Sequence, residues 1–351
     1  MTKKLFCIGL CAVLTLCICG CSGAEEEKPA ESVPVLPSSS AVSSSEPENP
    51  NAVNYLTGLR NLDKSLVSHR PVALMVDNDS NAQKYTQTGV NKADIVYETE
   101  TEGGITRLMT VFADISNLKQ IGDVRSARYV YVDLALAHDA VYIHSGKDKT
   151  YCGPHLNDID NFEIGTDLYG QRIKYGQAFG WQTLFTSGKT LLGGFADKKW
   201  RTETKKNTNW QSFADEKENL TLASPANKIT AAFNSSYISY FTYDSASGSY
   251  KKTSNKAQNK DRADGTPYLF KNVLILKTPM SMYPDNYRRK IDLNGGSGYY
   301  AVNGTYQKIK WKKGGSSAPI TLTNEDGTPL KYNAGNTWVC IIKDSAKITM
   351  E

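Results

Sequence analysis

Histidine is scarce in this chain: there are four in 351 residues, at 69, 138, 144 and 155. His138, His144 and His155 are the only set that could suggest zinc, but no His-Glu-x-x-His or comparable ligand spacing accompanies them. Lone histidines among many tyrosines are the simpler account. Cysteine is scarce where a fold could use it. Seven are present, yet Cys7, Cys11, Cys17, Cys19 and Cys21 all fall at the start, leaving Cys152 and Cys340, too few for a metal site by themselves. Those two are either joined as a disulfide, which would tie the halves of the chain together, or are two buried thiols. No Gly-x-Ser-x-Gly frame surrounds Ser145, which excludes a nucleophile elbow there. Hydrophobic residues at 40%, charged residues at 22% and aromatics at 10% exclude wholesale disorder, collagen-like sequence and a polytopic membrane protein.

The one long apolar run lies at the start of the chain. Lys3 and Lys4 precede Leu5 to Ile18, fourteen residues, short of the roughly 20 that span a bilayer as a helix. Residues 1–20 therefore read as a signal peptide. Its end, Ile18-Cys-Gly-Cys21, resembles the lipobox of bacterial lipoproteins, in which the chain is cut before the cysteine and the thiol is diacylated. That makes Cys21 the expected lipid attachment site and puts the protein at the cell membrane, on its extracytoplasmic face. From Ser22 to Pro50, nineteen of twenty-nine residues are Ser, Pro or Glu and none is aromatic. Such a segment cannot bury enough apolar surface to offset chain entropy, so residues 21–55 read as a tether. The formal charge of +5 divides unevenly: residues 1–20 carry +2 and residues 22–50 carry −5, so the part that folds carries +8.

From Arg70 the pattern becomes regular. Pro71 to Val76 is an apolar run expected to form a buried strand ending at Asp77-Asn78-Asp79. Asp94, Val96, Glu98, Glu100 and Glu102 share one face at period two, read as a solvent-facing strand. Like charges spaced in this way could also bind a cation or sugar, or act as a glycosidase pair. Gly103-Gly104 turns the chain into a return strand, Ile105 to Phe112. Tyr129 to His138 has helical spacing, and Ala140 to His144 reads as another strand. Later, Tyr237–Tyr243 and Ser249–Thr253 flank a turn, while Asn303-Gly304 and Asp326-Gly327 supply the positive φ that type I′ hairpins need. The expected fold class is α+β: a mixed α/β domain over residues 56–219 followed by a β-rich domain over 220–351. The polar, basic segment 197–219 is the expected connector or long loop.

Five blocks carry a resemblance: Arg70-Pro-Val-Ala-Leu-Met-Val-Asp-Asn78, Ala93-Asp-Ile-Val-Tyr-Glu98, Glu102-Gly-Gly-Ile-Thr-Arg107, Val124-Arg-Ser-Ala-Arg128 and Asp133-Leu-Ala135. With Gly296-Ser-Gly298, Trp311-Lys and Gly335-Asn-Thr-Trp338, they are similar to the YerB-type lipoproteins of Gram-positive bacteria over roughly residues 70–350. The resemblance implies an N-terminal and a separate C-terminal domain and offers no catalytic residues. Where relatives tend to have an Ala-Pro-His-Asn-like stretch, this chain has Gly180-Trp-Gln-Thr-Leu-Phe-Thr-Ser187. A histidine catalytic in relatives would be lost here. The layout of Asp77, Arg107, Arg125 and Arg128 at strand ends also resembles, more weakly, LytR-type enzymes that attach polymers to the cell wall. That likeness implies arginines holding a pyrophosphate and aspartates holding a metal.

Two function classes follow. The first is a lipid-anchored binding module whose ligand is a glycan, an anionic wall polymer or an envelope protein; twenty tyrosines and five tryptophans suit stacking on sugars. The alternative is an envelope enzyme acting on a phosphorylated or glycan substrate. Arg107, Arg125 and Arg128 are the candidate anion-binding residues, and Asp77 with Asp79 the candidate metal pair. No cofactor can be named. The basic runs Lys198–Lys206 and Lys251–Arg262 suit anionic wall polymers or lipid headgroups, and nucleic acid is not an expected partner outside the cell.

Overall fold

The computed structural model describes residues 50–165, 169–205, 211–255 and 257–351. The expected signal peptide, Cys21 and most of the expected tether lie outside the described residues. Residues 49–351 make one compact unit.

Buried strands in the first half begin with β1 (Val72–Asp77), followed by the short helix α1 (Ser80–Tyr85) and the hairpin β2 (Ile95–Glu100) and β3 (Thr106–Phe112). Helix α2 (Tyr129–Ala137), β4 (Val141–His144), β5 (Asn161–Glu163) and α3 (Gly188–Lys198) follow, among shorter strand pairings. The second half adds β6 (Lys228–Ala232), β7 (Ile238–Asp244), β8 (Ser249–Ser254), β9 (Asn272–Thr278), β10 (Gly295–Val302), β11 (Thr305–Lys313), β12 (Ile320–Asn324), β13 (Thr337–Lys343) and β14 (Ile348–Met350). Strand dominates throughout; the helices are few and lie mainly in the first half.

One large mixed sheet runs β11-β10-β9-β13-β2-β3-β1-β4-β5, with β12 beside β11. β13 lies parallel between β9 and β2. Both halves expected on either side of residue 219 therefore contribute to one sheet rather than to two. The physical reason is in β13: Trp338-Val-Cys-Ile-Ile342 is buried on both faces, which a strand achieves only in a sheet interior covered on both sides. A second sheet contains β8-β7-β6-β14.

Alternation assigns the faces. Ala73, Met75, Tyr97, Val339 and Ile341 pack into a core layer with Val130, Tyr131 and Leu134 of α2. Leu74, Val76, Val96, Trp338 and Cys340 point the other way, against Ile229, Phe241 and Tyr250 of the second sheet. Cys152 belongs to the first layer and Cys340 to the second, and both thiols are free. The disulfide alternative is thus replaced by two buried thiols on opposite sides of a sheet, each with its pKa pushed up by burial.

Turn chemistry behaves as expected at Asn303-Gly304, where both residues have positive φ (51° and 73°) and Val302 pairs with Thr305. The solvent-facing reading of the β2 carboxylates does not hold. Glu98 and Glu100 are buried, because the second sheet and its connections cover the face that period two assigned to them. Lys252, within a run expected to meet anionic polymers, is also buried, its ammonium over the Trp338 ring at 4.9 Å. Segment 197–219 is partly attached to the body: Arg70 donates its backbone N–H to the Thr202 carbonyl, and Ser212–Phe213 pairs with Lys331–Tyr332. Its residues 206–210 lie outside the described residues.

A shared sheet predicts that neither half folds alone. A fragment ending at residue 219 would expose the β2 edge that β13 covers, an open apolar strand edge prone to association. Expressed separately, fragments 50–219 and 220–351 should give no cooperative thermal transition by circular dichroism, and co-expression should restore one. Two independent cooperative melts would contradict the shared core.

Candidate functional site

β1, β2, β4, β9 and β13 run in one direction, so their carboxyl ends gather along one edge of the large sheet. Asp77 is the last residue of β1, Glu100 the last of β2, and Arg107 sits on β3 directly opposite Asp77. Ligands of open sheets commonly bind outside such ends. Gly103 and Gly104, with φ of 65° and 73°, allow the tight turn that returns the chain past Glu102. Residues 125–128, just before α2, close the edge from the other side.

All three candidate arginines are at this edge, and each is ion-paired. Arg107 Nη2 donates to Glu102 Oε1 at 2.9 Å and its Nη1 to the Ser126 carbonyl at 2.9 Å. Arg128 grips the same carboxylate in a fork, through Nε to Oε2 at 2.6 Å and through Nη2 to Oε1. Arg125 Nε lies 3.0 Å from Asp77 Oδ2 as an ion-pair contact, and its Nη1 donates to the Trp181 carbonyl at 3.2 Å. The partners are thus Glu102 and Asp77. Beside them, Arg289 Nε lies 3.0 Å from Glu100 and Arg288 Nε 3.1 Å from Asp148. Burial raises the Glu102 pKa, but hydrogen bonds and charge from Arg128 and Arg107 outweigh it and bring the carboxyl down to about 2. Burial, then the neighbouring Arg128, lowers the Arg107 guanidinium to about 10.

The candidate metal pair is spanned by an amide. Gln182 Nε2 donates to Asp77 Oδ2 at 3.1 Å and to Asp79 Oδ2 at 2.7 Å. Asp77 Oδ1 accepts the backbone N–H of Asn78, and Asp79 Oδ1 caps α1 through Ala82 N. These carboxylates are committed to protein donors. Among the described residues no group of three or more His, Cys, Asp and Glu side chains is placed to hold a metal ion. His138 meets the Tyr97 hydroxyl at 2.8 Å, His144 lies between Gly146 and Asn161, and His155 is near Tyr129; the three do not converge.

Three residues in or beside this site carry weight that sequence reasoning missed. Gln182 had no signal at all. Asp123 is fully buried, takes a hydrogen bond from Thr86 on Oδ1, and leaves Oδ2 without a partner. Burial first, and the nearby Asp77 second, push its carboxyl up to about 8, against a smaller opposing effect of Arg125. Trp181, inside the stretch that departs from the family pattern, is 58% exposed and stacks on Phe179 with ring centroids 4.7 Å apart.

Two cavities lie away from this edge. A cavity of about 570 Å³ is lined by Gly89, Phe112, Asp114 and Asp261, and one of about 460 Å³ by Asp94, Lys271 and Asn336. Both border the opposite edge of the sheet. Neither includes Asp77, Arg107, Arg125 or Arg128.

Fold and sequence together define the class: the chain belongs to the family described as proteins of unknown function (DUF3048). Its N-terminal domain matches residues 56–201 and its C-terminal domain residues 229–339. A relative from Bacillus subtilis (strain 168), named "Putative lipoprotein YerB", is 28% identical over 304 residues, 82% of this chain and 86% of the relative. The crystal structure of the YerB protein from Bacillus subtilis matches with a TM-score of 0.70 at 25% identity, covering 85% of this chain and 100% of that one.

Asp123 generates a pH prediction. Its ordinary carboxyl pKa is about 3.9 and its folded value is raised, so between these the folded state binds a proton that the unfolded state lacks. Stability from this group therefore falls as pH rises through that window. Asp123→Asn keeps the acceptor for Thr86 and removes the titration. The variant should melt several degrees above the parent at pH 8, with the gap closing towards pH 4–5. Parallel melting-temperature profiles would show that Asp123 does not titrate in this way.

Proposed function

We propose that this protein is a lipid-anchored binding module of the bacterial cell envelope, attached through Cys21 on the extracytoplasmic face. Residues 21–55 act as the spacer, and the folded body recognises a glycan, an anionic wall polymer or another envelope protein. The observation that carries this reading is the pairing of the arginines. Arg107 and Arg128 hold Glu102, and Arg125 holds Asp77, so the edge is a preformed and partly exposed charged rim. Such a rim suits recognition, because charge patterns steer and select partners without chemistry. Support for the anchor comes from the lipobox at Cys21 and from a relative whose name calls it a lipoprotein. Diacylation would supply the two hydrophobic chains that stable membrane attachment requires.

The enzyme reading, with Arg107, Arg125 and Arg128 on a pyrophosphate and Asp77 on a metal, makes a different demand: ligand must displace existing ion pairs. Melting curves separate the two. Arg128→Ala leaves the half-buried Glu102 without its forked partner and should cost about 3 kcal/mol, lowering the melting temperature by several degrees. The parent should show no shift with pyrophosphate and Mg²⁺. A pyrophosphate-dependent rise in the parent that Arg125→Ala abolishes would favour the enzyme.

The anchor has its own test. In Cys21→Ala the protein should leave the membrane fraction or persist as an uncleaved precursor, without label from a radioactive fatty acid. Undiminished labelling of that variant would exclude Cys21 as the acylated residue.

A further inference from the structure

We propose that the polar cavity at the amino edge of the large sheet binds a small sugar acid, whose single carboxylate meets the Lys271 ammonium. The site goes beyond the binding reading above and uses none of the rim residues, so the two stand or fall separately. The cavity, of about 460 Å³, lies where β2, β9 and β13 begin. That volume is within the ~300–1,000 Å³ of small-ligand sites. Lys271 immediately precedes β9 and is half-buried. Its Nζ donates to Asn303 Oδ1 at 2.6 Å and to Asn219 Oδ1 at 3.3 Å, both neutral amides. An ammonium has three protons, so one remains for a ligand. Arg70, Arg107 and Arg128 are set at least as deeply, and each holds a carboxylate. Lys271 differs: among the described residues no carboxylate is ion-paired with it, and burial lowers its pKa with no opposing charge.

The cation is held in place before any ligand arrives. The Lys271 backbone N–H donates to Asn336 Oδ1 at 2.9 Å, and Asn336 Nδ2 donates in turn to the Leu269 carbonyl at 2.9 Å. Gly335, with φ of 143°, lies against the lysine stem, where a Cβ would stand 2.4 Å from the Lys271 Cβ. Its N–H donates to the Thr57 carbonyl at 2.7 Å, which ties the loop before β13 to the chain before β1. A charge fixed in this way loses little freedom on binding, which is how preorganised sites gain affinity.

The walls decide the rest of the ligand. None of the lining side chains is aromatic, so ring stacking is not on offer and hydrogen bonds must do the reading. The Asn61 amide and the Nδ2 of Asn219 line the cavity with no partner among the described residues. Amides set a donor beside an acceptor, the complement of adjacent sugar hydroxyls. Two carboxylates on the walls limit the ligand's charge. Asp94 accepts from Asn54 Nδ2 at 2.9 Å and from the Ala113 N–H at 2.7 Å, and Glu216 accepts the Arg60 N–H at 3.1 Å. Lys92, also at the wall, is paired with Asp264 at 3.4 Å. A second anionic group would meet those carboxylates, and like charges brought together are costly. One carboxylate on a hydroxylated ring is the match.

Isothermal titration of the full-length protein with glucuronate and with glucose, in a detergent without sugar headgroups, tests the site. The two ligands share a pyranose ring and differ at one carbon, a carboxylate against a hydroxymethyl group. The parent should bind glucuronate about tenfold more tightly than glucose, the size of one charge-assisted hydrogen bond. Asn219 is exposed, and Asn219→Asp keeps the acceptor for Lys271 while supplying the missing counter-charge. That variant should lose the preference for glucuronate without a fall in melting temperature, and Lys271→Met should lose it as well. Equal binding of the two sugars by the parent, no binding of glucuronate, or a preference that survives Asn219→Asp would each overturn the proposal. Tighter binding of tripolyphosphate or of dialanine than of glucuronate would show that the cavity reads a polyanion or a peptide end, and the sugar acid would fall.

Discussion

A carboxylate at the centre of this protein joins parts of the chain that are far apart in sequence. Glu98 on β2 is 2% exposed and accepts from four donors. Asn78 and Thr106 reach Oε1 at 2.9 and 3.1 Å, and Ser239 and Trp338 reach Oε2 at 2.8 and 3.0 Å. Those donors come from the loop after β1, from β3, from the second sheet and from β13. An acceptor buried at this depth is costly unless every lone pair is used, so four separate segments must arrive together for the core to close. The Lys252 ammonium lies over the Trp338 ring, its pKa lowered by burial and supported by the charge of Glu98. The single shared sheet is the geometric form of this constraint.

The same carboxylate shows what the sequence could convey. Period two at Asp94–Glu102 gave the parity of β2 correctly, since Val96 and Glu98 do share a face with Trp338 and Cys340. Parity does not say what covers a face. The covering strand β7 lies about 140 residues later, and no local pattern announces it. Local chemistry was read well where it is decided locally: the apolar run of β1, the helix before Ala137, and the Asn303-Gly304 turn whose φ values only certain residues adopt. Cys152 and Cys340 could not be resolved in that way, because opposite layers of a sheet leave no trace in spacing.

The three arginines meet at one edge for a local reason, whereas their partners are set by a non-local one. Arg125 and Arg128 are three residues apart beside a strand end, which places them near Arg107 once the edge is formed. Which carboxylate each takes depends on the turn at Gly103-Gly104, which brings Glu102 back between Arg107 and Arg128. Gln182 is the clearest case of illegibility. An amide is ordinary anywhere in a sequence, and only the approach of the 179–182 turn to Asp77 and Asp79 gives it a role.

The two edges of the large sheet divide the physical work unequally. At the amino edge, cavities form between loops, lined by Asp94 and Asn336 or by Phe112 and Asp114. At the carboxyl edge, ion pairs gather instead. Glu102 receives two guanidiniums, so the group of Glu102, Arg107 and Arg128 carries one positive charge beyond what its carboxylate neutralises. Burial screens these charges less than a surface would, and the lowered pKa of Arg107 reflects burial first and the neighbouring Arg128 second. The Asp79 carboxylate beside Asp77 offsets that charge, whereas burial and the nearby Asp77 favour the neutral form of Asp123. The rim is thus ordered by its own ion pairs, Arg107 and Arg128 on Glu102 and Arg125 on Asp77, so its side chains are fixed before any partner arrives.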